Sequence, residues 1–210
     1  AAAPPSPALL RALKDGSQFP DVDGGLDAEF GYFGKVLTPL TGFQATFNDA
    51  TIQKVAVAAE AFENKILVVG TALNGYTFDF VLVRYNLDGS IDGTFGDSGF
   101  VFTDFSTVAP PALTEDDPPA YRNDEATALT IDSAGRIVVV GTTAVYPFQD
   151  FSSIGGLGNF AIARYLPDGS LDTSFGYGGR QVVDVGGEFS DDRAEDVAVQ
   201  YVGISGDSED

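Results

Sequence analysis

Three stretches of this sequence set two aspartates four residues apart around a glycine. They are Asp23-Gly24-Gly25-Leu26-Asp27, Asp88-Gly89-Ser90-Ile91-Asp92 and Asp168-Gly169-Ser170-Leu171-Asp172. Carboxylates held this close in a tight loop, with backbone carbonyls beside them, are the hard oxygen donors that Ca²⁺ takes. Asp23, Asp27, Asp88, Asp92, Asp168 and Asp172 are therefore candidate calcium ligands. Calcium wants six to eight oxygens, and each copy offers two carboxylates, so backbone groups or other loops would have to supply the rest. The same spelling also describes a plain turn. The first Asp bonds its own backbone, Gly takes positive φ and the second Asp caps the next turn. Of the two readings the turn comes first and calcium second.

Each copy runs on into Phe-Gly-x-x-Gly, at Phe30, Phe95 and Phe175. A phosphate cradle would need a lysine and a following helix, and neither is spelled here. The phenylalanines are expected to plug a stack of sheets while the glycines make the bend. Arg84 and Arg164 fall at the same place in two copies of a chain with few arginines. They are expected to form an ion pair within each repeat, with Asp104 and Asp184 or with the motif aspartate; an anionic ligand is the other use for them. Carboxylate pairs suited to glycoside hydrolysis arise by chance among 31 acidic residues, and Asp116, Asp117, Asp191 and Asp192 read as solvated loop charge. No catalytic residue is assigned.

Composition narrows the field further. Acidic residues outnumber basic ones 31 to 11, a net charge of −20, which leaves no basic surface for nucleic acid. The chain has no Cys and no His, so thiolate or imidazole metal sites and His-dependent triads are excluded. It also has no Met. That points to a processed or excised chain, and Ala1-Ala2-Ala3-Pro4-Pro5 suits the end left by a signal peptidase. No apolar run approaches the roughly 20 residues of a membrane span.

The elements that must position these residues repeat with the motif. Lys65 to Thr71 matches Arg136 to Thr142, Phe80 to Tyr85 matches Phe160 to Tyr165, and Phe100 to Phe105 matches Arg180 to Val185. Ala126 to Asp132 matches Ala194 to Gln200, with Asp124 and Asp192 in step. These are β-branched and aromatic runs bounded by Gly, Asp and Asn, giving about ten expected strands. Lys35 to Thr38 is read as one of the short strands. Ile66 to Val69 and Ile137 to Val140 are apolar without alternation and are expected to be inner strands, buried on both faces.

A repeat of this size made of four strands points to an all-β fold, built of β-propeller blades or β-solenoid turns, with about two and a half four-stranded units visible. Residues 1–22 read as a linker with a short helix, 23–203 as the repeat domain and 204–210 as an acidic tail. Two insertions, 107–122 and 145–158, interrupt the repeat and carry Tyr121, Tyr146, Phe148 and Phe151, which serve equally as candidate partner-binding aromatics or as covers for blade edges.

The linked spelling D-G-x-L-D-x-x-F-G-x-x-G, K-I-x-V-x-G-T and F-x-x-x-R-Y resembles the delta-60 repeat, over about Asp23 to Gln200. The resemblance implies a propeller-like fold and export to the outside or surface of a bacterial cell, and it implies no reaction. The expected function is a non-enzymatic module for protein–protein assembly or surface attachment. The partners are then other protein chains, and no cofactor is required. The alternative is a calcium- or carbohydrate-binding domain that uses the two inserted loops.

Overall fold

A computed structural model describes residues 30–38, 44–58, 61–74, 77–106, 108, 121–146, 157–186 and 190–200. Strands β1 (Ala45–Ala58), β2 (Ala61–Asn74), β3 (Thr77–Tyr85) and β4 (Phe100–Thr103) form one sheet in that order. Strands β5 (Tyr121–Ile131), β6 (Ile137–Tyr146), β7 (Leu157–Tyr165) and β8 (Arg180–Val183) form a second in the same order. Every neighbouring pair is antiparallel. The described residues contain no helix. The expected N-terminal linker and helix, and the acidic tail, lie outside them.

The repeat in the sequence is a repeat in register. β2 meets β3 with Ile66 opposite Tyr85 and Gly70 opposite Val81, while β6 meets β7 with Ile137 opposite Tyr165 and Gly141 opposite Ala161. Each first strand carries a bulge at the same point, between Phe47 and Asp49 in β1 and between Ala126 and Ala128 in β5.

Because side chains alternate across a strand, each blade has two apolar faces. Leu67, Val69, Phe80 and Leu82 project from one face of the first blade. They share a core with Ala126, Ile137, Val139, Ala161, Ala163 and Tyr165 of the second. The opposite face of the first blade, with Val81, Val83 and Tyr85, packs against Val36. Burying a side chain of this size stabilises the fold by about 1.5–3 kcal/mol, so face-on-face stacking holds the blades together. In the unalternated runs Ile66–Val69 and Ile137–Val140, Leu67, Val69, Ile137, Val139 and Val140 are buried, while Ile66, Val68 and Val138 keep partial exposure.

Two expected strands are not strands. Lys35 makes one isolated bridge, to Gly31, and residues 36–38 join no ladder. Residues 190–200 run without ladder pairing. The reason is the same at both places. β4 exists because β3 lies beside it, and β5 because β6 does, and the described residues offer no such neighbour to either segment. Both still occupy the position of a blade strand. Asn48, in the β1 bulge, donates through Nδ2 to Ala126 O at 2.7 Å. Thr127, in the β5 bulge, donates through Oγ1 to Ala194 O at 2.5 Å. Residues 190–200 thus lie on the second blade as β5 lies on the first.

Candidate functional site

The Asp-Gly motifs form the loops between β3 and β4 and between β7 and β8, at one end of the stack. Asp88 Oδ1 accepts from Ser90 N at 2.9 Å and Ser90 Oγ at 2.6 Å, and Asp168 Oδ1 accepts from Ser170 in the same way at 2.9 and 2.6 Å. Gly89 and Gly169 take φ of 83° and 93°. Asp92 Oδ1 accepts from Thr94 N and Oγ1, and Asp172 Oδ1 from Ser174 N and Oγ. The Ser90 and Ser170 bonds hold the Asp88 and Asp168 carboxyls below the usual carboxylate range. Ser174 does the same for Asp172. At Asp92 burial works upward but is outweighed by the Thr94 bonds and by Arg84.

The second motif aspartate is the partner of the repeated arginine. Arg84 Nε donates to Asp92 Oδ2 at 2.9 Å and Arg164 Nε to Asp172 Oδ2 at 2.8 Å. Each guanidinium lies over the motif phenylalanine, Arg84 over Phe95 at 4.6 Å and Arg164 over Phe175 at 4.8 Å, a favourable cation–π arrangement. Asp104 and Asp184, the other partners considered, do not form these pairs. Consecutive motifs are also bonded to one another. Gly31 N donates to Asp88 O and Gly96 N to Asp168 O, both at 2.9 Å.

The remaining candidates separate. Tyr121 and Tyr146 are not in loops: they are backbone partners in register at one end of the β5–β6 ladder, so the strands reach into both expected insertions. Phe148 and Phe151 lie outside the described residues, as do Asp23 and Asp27. Asp192, expected as solvated charge, accepts through Oδ2 from Val185 N at 2.7 Å and Gly186 N at 3.1 Å. These bonds lower its pKa.

A further acidic group sits at the opposite end of the blades, where β4 and β6 end and β5 and β7 begin. Asp79 begins the buried part of β3, Asp104 follows β4, and Asp124 lies in β5 of the next blade. One carboxylate oxygen from each lies within 4.8 Å of the others. Asp79 is 2% exposed and Asp124 0%, while Asp104 is open to solvent. Asn74 Nδ2 donates to Asp79 Oδ2 at 2.7 Å, and Phe105 N to Asp124 Oδ2 at 2.8 Å. The other oxygen of each, Oδ1, is buried without a hydrogen-bond partner. Thr143 Oγ1 is likewise buried and unsatisfied. Thr143 is the cross-strand partner of Asp124 and steadies its charge without completing a bond of normal geometry. Burial pushes the Asp124 carboxyl up to about 7, and the charges of Asp104 and Asp79 add to the rise. Burial raises Asp79 as well, with the Asp104 charge adding to the rise and contacts to Asn74 and Thr77 working against it.

In the sequence Asp104 and Asp124 fall in step with Asp184 and Asp192, and nothing in that spacing brings them together with Asp79. The available signal was the break in the repeat, because the position of Asp79 is Asn159 in the second copy.

Two stacked, four-stranded antiparallel blades with a repeating register define a β-propeller type of architecture. Residues 64–95 and 150–175 match the model of a family described as "Domain of unknown function (DUF5122) beta-propeller". The matched segments contain β3, β7 and the Asp-Gly motifs as far as Phe95 and Phe175. No curated protein and no solved structure matches the chain. Among the described residues no helix is long and apolar enough to cross a membrane.

Proposed function

We propose that this chain is an exported, non-enzymatic repeat module of the delta-60 kind, acting through contact with other protein chains in an assembly or at a bacterial surface. The observation that carries this reading is the outer side of the segment that caps the first blade. Tyr32, Phe33 and Leu37 are 80%, 68% and 92% exposed there, and the two rings meet edge to face at 4.6 Å. Clustered exposed aromatics mark contact surfaces rather than ordinary surface. A second copy is the partner that fits, because blade faces of this repeat already stack on one another. The non-enzymatic part is supported by how the motif's polar groups are used. Arg84, Asp92 and Thr94 bond one another, as do Arg164, Asp172 and Ser174. Export is supported by the resemblance and by the strongly acidic composition.

Light scattering tests the assembly. The 22.0 kDa chain should show at least twice that mass at tens of micromolar, roughly the range of modest protein interfaces. The double variant Tyr32→Ser, Phe33→Ser should return to the single-chain mass. A wild type that stays at the single-chain mass at every concentration sinks the reading.

A further inference from the structure

We propose that Asp79, Asp104 and Asp124 form a divalent-cation site of the calcium type at the seam between the two blades. The proposal is independent of the assembly reading and uses none of the aspartates in the Asp-Gly motifs.

Three carboxylates converge, and two of them belong to buried side chains with an oxygen left over: Asp79 Oδ1 and Asp124 Oδ1. A buried acceptor without a partner is costly, and two in one acidic pocket call for a positive occupant. The nearby cation does not supply it. Arg180 donates through Nη1 to the backbone carbonyl of Asp104, and the charges that act on Asp124 are the carboxylates of Asp104 and Asp79. The donors are all oxygen, with the unsatisfied hydroxyl of Thr143 beside Asp124, which selects a hard cation such as Ca²⁺. Asp104 is exposed and leaves the group open to solvent on its side.

Comparison between the two copies separates this role from the fold's own needs. Asp192 repeats the backbone bonding of Asp124 by accepting from Val185 N and Gly186 N. In that copy Asn159 stands where Asp79 does, so the fold is built without the third acid. Asp79 is the residue the repeat does not explain.

The test is thermal unfolding of the full chain, stripped with chelator and then titrated with CaCl₂ at pH 7.5, alongside isothermal calorimetry. Wild type should gain roughly 5–10 °C in Tm at a hundredfold excess over Kd. Asp79→Asn, which installs the amide already tolerated at position 159, should fold and lose at least tenfold in calcium affinity. Asp88→Ala with Asp168→Ala should keep the response. The proposal is overturned by a wild type indifferent to calcium, by an Asp79→Asn variant that responds as wild type does, or by loss of the response only in the Asp88, Asp168 variant. A wild type stabilised by acidification but not by calcium would mean a shared proton only, and would overturn it too.

Discussion

Arg84 Nη1 donates to the carbonyl oxygen of Pro167 at 2.7 Å, across a separation of 83 residues. The same guanidinium bonds Asp92, Thr94 and Gln53 within its own blade. One buried side chain therefore ties the end of β3 to β1, to its own motif loop and to the motif loop of the next blade. Arg164 repeats only the bonds to its own motif loop, to Asp172 and Ser174, and among the described residues it meets no later motif loop.

That difference predicts unequal costs. Arg84→Ala removes one partner of a buried pair, 3% and 5% exposed, and should destabilise by about 3–5 kcal/mol. Arg164→Ala acts on a side chain that is 20% exposed and should cost about 1 kcal/mol. Urea unfolding measures both, and equal losses would contradict the asymmetry.

The motif glycines differ in the same testable way. At Gly169 φ is +93° and an added Cβ would come within 2.8 Å of the Phe95 ring and 2.9 Å of Val101. At Gly178 φ is +60° with nothing within 4 Å. Gly178→Ala should cost about 1–2 kcal/mol for the left-handed backbone alone. Gly169→Ala should cost clearly more, or prevent folding, because the clash adds to that strain. Paired denaturation midpoints decide it.

Tyr165 is fully buried, and its hydroxyl meets Thr103 Oγ1 at 2.7 Å across the blade seam. Tyr165→Phe keeps the ring's packing and removes that bond. A loss of about 1 kcal/mol is expected, while Tyr165→Ala should cost about 3–5 kcal/mol through the cavity it leaves. A phenylalanine variant as unstable as the alanine variant would show that the hydroxyl, not the ring, dominates.

Asp192 gives a pH dependence of definite sign. Its backbone bonds depress the folded pKa below the unfolded value of about 3.9. The stabilisation is thus fully present above that value and is lost as pH falls through the folded pKa. In an NMR titration the Asp192 carboxyl should have its midpoint below 3.9, with the Val185 and Gly186 amides following it. A midpoint at or above the ordinary value would show that the 190–200 segment is not held this way.

The motif turns and the order of strands were legible because their causes are local. Asp88 to Ser90 and Asp92 to Thr94 are bonds across two residues, and the β-branched runs carry their own preference. The choice between Asp92 and Asp104 as partner of Arg84 was not local. It depended on β3 returning along its own loop while Asp104 turned toward the next blade. Residues 35–38 and 194–200 have spellings that match real strands, but a ladder needs a neighbour and sequence similarity cannot supply it. The acid group was hidden for the opposite reason. Its members come from β3, the end of β4 and β5, and only the substitution of Asn159 for Asp79 between copies marked the position as unusual.

The two ends of the blades have separate uses. At one end the Gly31–Asp88 and Gly96–Asp168 bonds pin successive motifs together like the rivet of a folding fan. At the other, β4 and β6 end and β5 and β7 begin, and lengthening a connection between strands costs only about 0.6 kcal/mol per doubling. The scaffold is therefore a natural acceptor for grafted peptides. A foreign epitope spliced between β6 and β7 can be varied while the riveted end keeps the blade spacing constant.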